Sequence, residues 1–276
     1  MFRKKILFLI FVNTLLAAIT EKPFVIIIPS YNNQEYYQKN LSDALDQEYE
    51  NYRIIYIEDA STDNTKQLVE QFIENHKNAH RITCISNNTR KGALENLYTT
   101  IHTCNPWEII VCLDGDDWLY NRHVLEYLNA VYRNSNVWMT YGQFIQYPAN
   151  YIGWCKQIAP NVIQENSFRD QLWISSHLRT FYAWLFQAIN KSDLQINGEF
   201  FPMAWDLAMM FPMLEMAGTH SKFIEEILYV YNRENNLNDE KIDQQKQLNL
   251  GFHIRSLTKY KPLQASETVH LKWGKV

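Results

Sequence analysis

The sequence predicts an α/β fold with a mostly parallel central sheet and helices on both faces. Three observations predict it. Short apolar blocks alternate with amphipathic stretches from residue 24 onward. Each block suits a buried strand and is too short for a helix. Each also ends in a polar loop, and parallel neighbours need right-handed crossovers that lay helices on both faces.

The elements follow in order. Residues 24–28 form an apolar strand ending at Pro29, and a polar loop covers 30–34. Tyr37, Leu41 and Leu45 recur at helical spacing, and residues 52–57 are a second strand rich in Ile and Tyr. A polar turn over 59–64 leads to Leu68, Val69, Phe72 and Ile73 on one helical face. Residues 81–85 supply a third strand, and a loop ending at Gly92 precedes a helix marked by Leu94, Leu97, Tyr98 and Ile101. Residues 109–113 form the fourth strand and run straight into Asp114-Gly115-Asp116-Asp117. Beyond these, 124–132 reads as a helix, 138–142 as a strand, 148–166 as loop-rich and 207–216 as a helix. In such a sheet the loops after the strands converge on one crevice, however far apart they lie in sequence.

No repeat, low-complexity tract or Gly/Ser linker interrupts the chain, so residues 21–235 are predicted as one domain. Residues 236–276 then form a helical extension and tail. Length and composition agree, since 276 residues with 46% hydrophobic content suffice for a sizeable core. A net charge of -4 without a clustered basic face excludes the usual nucleic-acid footprint. Cys84, Cys104, Cys112 and Cys155 lack CxxC spacing and read as buried free thiols, not a zinc site or redox pair.

At the N-terminus, Arg3, Lys4 and Lys5 precede an uncharged stretch over 6–20. It falls short of the ~20 apolar residues that span a bilayer, and reads as a signal peptide or a signal anchor over residues 1–20. The basic flank stays on the cytosolic side in either case.

The candidate chemistry lies in the strand-exit loops. Three carboxylates as close as Asp114, Asp116 and Asp117 repel one another unless a cation neutralises them. Mn2+ or Mg2+ would do so, with substrate phosphates completing the shell. An acidic surface turn anchored by Trp118 is the alternative. In the loop 58–65, Asp63, Asn64 and Thr65 suit helix capping, whereas Glu58-Asp59 at the end of a buried strand calls for a donor or ligand. Arg90-Lys91-Gly92 places a cation and a close backbone approach beside a diphosphate, or is a solvated loop.

Taken together, Pro29-Ser30-Tyr31-Asn32, Glu58 through Thr65, Asn87 through Asn96 with Lys91-Gly92, and Asp114-Gly115-Asp116-Asp117 resemble family 2 glycosyltransferases in order and separation. The resemblance covers about residues 24–233. It implies the nucleotide-binding fold called GT-A and an inverting transfer from a nucleotide sugar, most often of uridine or guanosine diphosphate, with the uridine form expected here. It also implies roles: Pro29 and Tyr31 against the base, Asp59 on its N–H edge, Lys91 and Gly92 near base or diphosphate. Asp114-Gly115-Asp116 matches the family's Asp-x-Asp motif, with Asp116 facing ribose and metal and Asp117 a direct metal ligand.

Further on, Ala204-Trp205-Asp206 resembles the acceptor-side acidic motif, with Trp205 in place of an acid. Asp206 is the expected catalytic base, although the same residue suits a helix N-cap. His177 and Arg179 lie in a segment seen in a subset of such enzymes, where they would meet metal or diphosphate. The implied partners are a nucleotide sugar and a glycan, protein or lipid acceptor, with membrane attachment through the N-terminal segment. An exported enzyme needs a compartment supplied with its donor, which points to an endoplasmic reticulum or Golgi lumen or to a membrane-attached form. Asn40-Leu41-Ser42 and Asn87-Asn88-Thr89 fit the glycosylation pattern.

Two other readings compete. A catalytically silent binding module of the same fold would need neither the carboxylate cluster nor Asp206. A sugar nucleotidyltransferase would carry a glycine-rich loop where this chain has Ser30-Tyr31-Asn32-Asn33, and the chain has only 8 glycines.

Overall fold

β1 (Phe24–Ser30) lies between β2 (Tyr52–Glu58) and β4 (Ile109–Cys112) and runs parallel to both. In the computed structural model, which describes residues 21–264, Phe24 pairs with Tyr52 on one side and Ile109 on the other. β3 (Ile82–Ser86) closes this edge in parallel with β2. The fold is the predicted mixed α/β type, with a mostly parallel central sheet.

Alternation along the strands sends side chains to two cores. Val25, Ile27, Ile55, Ile57 and Ile110 meet Leu94, Leu97 and Ile101 of α3 (Ala93–Ile101). Ile26, Ile28, Ile54, Tyr56 and Val111 face the opposite layer. There they meet Leu41 and Leu45 of α1 (Tyr37–Leu45), Val69 of α2 (Thr65–Asn75), and Leu125 and Leu128 of α4 (Val124–Tyr132). Burying each such aliphatic side chain contributes roughly 1.5–3 kcal/mol, which fixes the register of the parallel half.

Beyond β4 the sheet departs from the predicted pattern. β8 (Arg179–Tyr182) inserts antiparallel between β4 and β6 (Met139–Tyr147). It is four residues long, and it is seated by buried hydroxyls, Thr140 to Thr180 at 2.6 Å and Tyr132 to Thr180 at 2.8 Å. β11 (Ser221–Asn232), a strand the periodicity does not predict, runs parallel to β6 and antiparallel to β5 (Trp118–Leu119). Its first half is largely exposed and carries Glu225 and Glu226 where the register shifts, which blurs the alternation. The stretch 148–166, predicted as loop-rich, holds β7 (Tyr151–Ile152) and α5 (Pro160–Gln164). Between β8 and a small antiparallel pair, β9 (Gln195–Ile196) and β10 (Glu199–Phe200), sits α6 (Ala183–Gln187).

α7 (Trp205–Ala217) is buried on all sides from Ala208 to Ala217, as an apolar helix requires. α8 (Asp239–Ser256), broken at Asp243, adds Leu250 and Ile254 to the α3 core. Its last turn is held by Arg169, whose Nη1 donates to the Ile254 carbonyl at 2.7 Å while its Nη2 donates to Glu215 at 2.9 Å. Cys104, Cys112 and Cys155 are buried free thiols as predicted, but Cys84 is exposed because β3 is an edge strand. The expected leader, residues 1–20, and residues 265–276 lie outside the described residues. Among the described residues, no helix is long and apolar enough to cross a membrane.

Candidate active site

The acidic turn leaves β4 and is held against α1 and the end of β1. Asn40 on α1 donates its amide to the carbonyls of Asp114 and Asp117 at 2.9 and 2.7 Å. The turn also presses against the end of β1. A Cβ on Gly115 would lie 2.6 Å from Asn33 Nδ2, 2.8 Å from Ser30 Cβ and 2.9 Å from the Pro29 carbonyl, so only glycine fits. Asn40 is fully buried in this contact, and Asn87 donates to Asp59 and Asn96 at 2.8 Å each. Both triplets that fit the glycosylation pattern therefore have their asparagine amides committed to hydrogen bonds within the fold.

Each carboxylate of the turn has its own partner. Asp114 Oδ2 accepts from Arg179 Nη2 at 2.9 Å, and Asp116 Oδ2 accepts from the Asn235 amide at 2.7 Å. Asp117 is fully buried, with Tyr229 Oη donating to Oδ2 and the Asn232 N–H donating to Oδ1, both at 2.6 Å. Burial, with the Asp114 charge added, pushes Asp116 up to about 6. Asp117 is driven well above the carboxylate range by burial first and then by Asp116 and Asp114. Negative charge here exceeds its local compensation, the condition under which a divalent cation binds.

The loop of Asp59 faces the same end of the sheet. Asp59 Oδ1 accepts from the Lys91 N–H at 2.9 Å and Asn87 at 2.8 Å, while Oδ2 accepts from the Gly92 N–H at 2.8 Å. Burial works to raise this carboxyl, but the donated hydrogen bonds outweigh it and hold the group below its ordinary value. Gly92 takes φ +88°, a conformation that disfavours side chains, and so turns the loop into α3. The guanidinium of Arg90 covers the ring of Tyr31 at 3.8 Å.

Across the crevice, β8 carries Arg179 opposite Cys112, two residues before the acidic turn. Arg179 is buried, faces Asp206 with Nη1 3.8 Å from its Oδ2, and lies 4.8 Å over the Trp205 ring. Asp206 sits in the first turn of α7, where Ala204 and not Asp206 holds the N-cap position. Burial raises the Asp206 carboxyl despite the opposing charge of Arg179. His177 stacks on Tyr229 at 4.5 Å and stands 3.9 Å from Asp114. Burial first, then Arg179, keeps it well below the ordinary histidine range, and its Nδ1 is buried without a hydrogen-bond partner. Ligand atoms of Asp114, Asp117 and His177 lie within 4.8 Å of one another and could hold a metal ion. A set dominated by carboxylate oxygens suits Mg2+ or Mn2+.

These groups share one crevice of about 240 Å³. Pro29, Tyr31, Asp114, Asp116, Asp117, His177, Arg179, Trp205 and Asp206 line it; Asp59, Lys91 and Gly92 are not among its lining residues, although Arg90 and Ala93 on either side of Lys91-Gly92 are. Sequence reasoning misses Asn40, Tyr229, Asn235 and Asp239. Asn40 carries only a glycosylation triplet as a local signal, and the others lie in or just after β11, a strand the periodicity does not reveal. Asp239 at the start of α8 lines the crevice, and burial, with Asp206 and Asp114 adding, pushes it up to about 7.

The model of the family described as glycosyl transferase family 2 matches residues 25–193, more than half of the chain. The chain belongs to glycosyl transferase family 2. Among curated proteins, the family 2 chain is 31% identical over 120 residues to the Escherichia coli UDP-Glc:alpha-D-GlcNAc-diphosphoundecaprenol beta-1,3-glucosyltransferase WfgD, covering 43% of this chain and 44% of the relative. It is 31% identical over 90 residues to poly-beta-1,6-N-acetyl-D-glucosamine synthase of Staphylococcus epidermidis, covering 33% of this chain and 21% of that protein. The matches thus span less than half the length of these relatives. Among solved structures, S. aureus TarS 1-349 in complex with UDP-GlcNAc superposes with TM-score 0.64 at 15% identity, over 91% of this chain and 70% of that one. The mannosyltransferase PcManGT from Pyrobaculum calidifontis, in complex with GDP-Man and Mn2+, gives 0.58 at 19%, over 87% and 66%. At these identities the superpositions show a shared GT-A fold and nothing beyond it.

Proposed function

We propose that this chain transfers a sugar from a uridine diphosphate donor to an acceptor hydroxyl, with inversion and with the help of Mn2+ or Mg2+. One observation carries the reading: the acidic turn and Asp206 line the same crevice, joined by Arg179 at 2.9 Å from Asp114 and 3.8 Å from Asp206. Support for the donor comes from the relative that uses UDP-Glc and the TarS complex with UDP-GlcNAc. Support for the ion comes from the Asp114, Asp117 and His177 cluster and from the neighbour that binds Mn2+.

In this reading Pro29 and Tyr31 pack against the base. Asp59 uses lone pairs left by its three hydrogen bonds to meet the base N–H edge, and it holds Lys91 and Gly92 close by. Asp114, Asp116, Asp117 and His177 are the residues that would hold the ion. When bound, the ion supplies an electrophile that offsets charge on the departing diphosphate. Asp206 accepts the proton of the acceptor hydroxyl as its oxygen bonds to the anomeric carbon from the face opposite the leaving group. The carbon–oxygen bond to the diphosphate breaks in the same displacement, and the anomeric configuration inverts. Trp205 and Arg179 border the acceptor side, and the acceptor is a hydroxyl of a glycan, protein or lipid. Residues 1–20 attach the enzyme to a membrane or lead it into the secretory route, where its donor must be delivered.

The test is to incubate the purified chain with Mn2+ and a panel of UDP- and GDP-sugars, following release of nucleoside diphosphate. Metal-dependent release from one UDP-sugar, abolished by Asp116→Ala, is expected. Release that continues at full rate in chelator, or no release from any donor, overturns the proposal.

A further inference from the structure

Outside the roles just assigned, the segment joining β11 to α8 makes an unusual contact with the acidic turn. Asn235 is buried, and both ends of its amide are committed: Oδ1 accepts the Leu237 N–H at 2.9 Å, and Nδ2 donates to Asp116 Oδ2 at 2.7 Å. The first bond fixes which end of the amide faces the crevice. Asn235 can therefore only donate to Asp116, and cannot turn its oxygen toward a cation without losing the Leu237 contact. The segment itself is tied down, since Lys241 Nζ donates to the Asn235 carbonyl at 3.1 Å and Asn238 Nδ2 to the Asn232 carbonyl at 3.0 Å.

We infer that Asn235 is a positioning residue for the metal, one that occupies Oδ2 of Asp116 and thereby aims Oδ1 alone into the crevice. The inference rests on the metal-assisted reading above and deepens it. A carboxylate with one oxygen already bonded offers a single ligand atom in a fixed direction, beside those of Asp114, Asp117 and His177, and would leave the remaining positions to substrate phosphate and water. Without Asn235, Asp116 would be free to rotate, and its carboxylate would lose the side-chain amide that steadies it.

The experiment measures Mn2+ alone, by the free-ion electron paramagnetic resonance signal, in the full chain and in Asn235→Ala, Asp116→Asn and the double variant. Partners that orient metal ligands are worth about 10–100-fold in metal affinity. Asn235→Ala is expected to weaken Mn2+ binding by about that factor in the parent background, and to change it less than about twofold when Asp116→Asn is already present. Asn235→Asp keeps the acceptor for the Leu237 N–H but sets a second carboxylate against Asp116, so it should change Mn2+ affinity in the parent background and, through like-charge repulsion, lower the thermal midpoint in the absence of metal. Equal weakening by Asn235→Ala in both backgrounds, or none in either, overturns the inference and leaves the functional reading standing. A parent chain that holds no Mn2+ overturns both.

Discussion

Arg179 Nη2 stands 2.9 Å from Asp114 Oδ2, a pairing between a four-residue strand and a turn sixty-five positions earlier in the chain. The same guanidinium faces Asp206, so one buried cation holds the two sides of the crevice together. Replacing it should expose how much negative charge the site contains. Arg179→Met leaves Asp114 and Asp206 without their counter-charge, and breaking a buried pair costs about 3–5 kcal/mol. Urea denaturation at pH 7.5 should show that loss, and the loss should shrink at lower pH as Asp206, already raised, becomes protonated.

Asp206→Asn should bind donor as the parent does and lose transfer by about 10²–10⁴-fold, the usual contribution of a general base. The base works ionised, and burial raises its carboxyl. Transfer by the parent should therefore fall on the acid side at a pH above the ordinary aspartate value of about 3.9. Donor affinity by calorimetry and product release against pH check the two halves. Unchanged transfer by Asp206→Asn would remove it from the chemistry.

Asp59→Asn should weaken both donor binding and the fold, because an amide cannot accept from Lys91, Gly92 and Asn87 together. A buried donor left unpaired costs about 1–3 kcal/mol. The folded-state pKa of Asp59 is lowered, so its stabilisation is present above the unfolded value of about 3.9 and is lost as pH falls through the folded one. The stability gap between parent and variant should be full at neutral pH and close in that acid window, as read from denaturation midpoints.

Gly115→Ala should be destabilising by about 1–3 kcal/mol, the cost of overpacking, because the added methyl meets the Pro29 carbonyl and Ser30. Since the turn must shift, nucleoside diphosphate release should drop more than the thermal midpoint alone implies. A variant with parental activity would show that the close approach to β1 is dispensable.

Glu215→Ala should cost about 3–5 kcal/mol by stranding Arg169, which is 3% exposed and caps the end of α8. Equilibrium urea unfolding measures it. Replacing both partners by apolar residues of similar volume should recover only part of the loss, because the Ile254 carbonyl and the Tyr260 N–H then lose their partners.

The parallel half of the fold was legible because its signals are local. A strand such as 24–30 is covered on both faces, so its own run of Val and Ile reports its place, and the Asp-rich turn leaves its parallel neighbour β4 at the same end of the sheet. The residue types at those exits, Asp59, Asp114, Asp116 and Asp117, were likewise readable from order and spacing. Only the tertiary structure decided what each carboxylate does next. Whether Asp117 is closed off by Tyr229 and Asn232, whether Asp116 is held by Asn235, and whether Asp59 binds its own loop depend on contacts spanning 28 to 119 residues. Such pairings arise from where β8, β11 and α8 are laid against the sheet, and a hydrogen bond between distant groups leaves no periodicity in the chain that forms it.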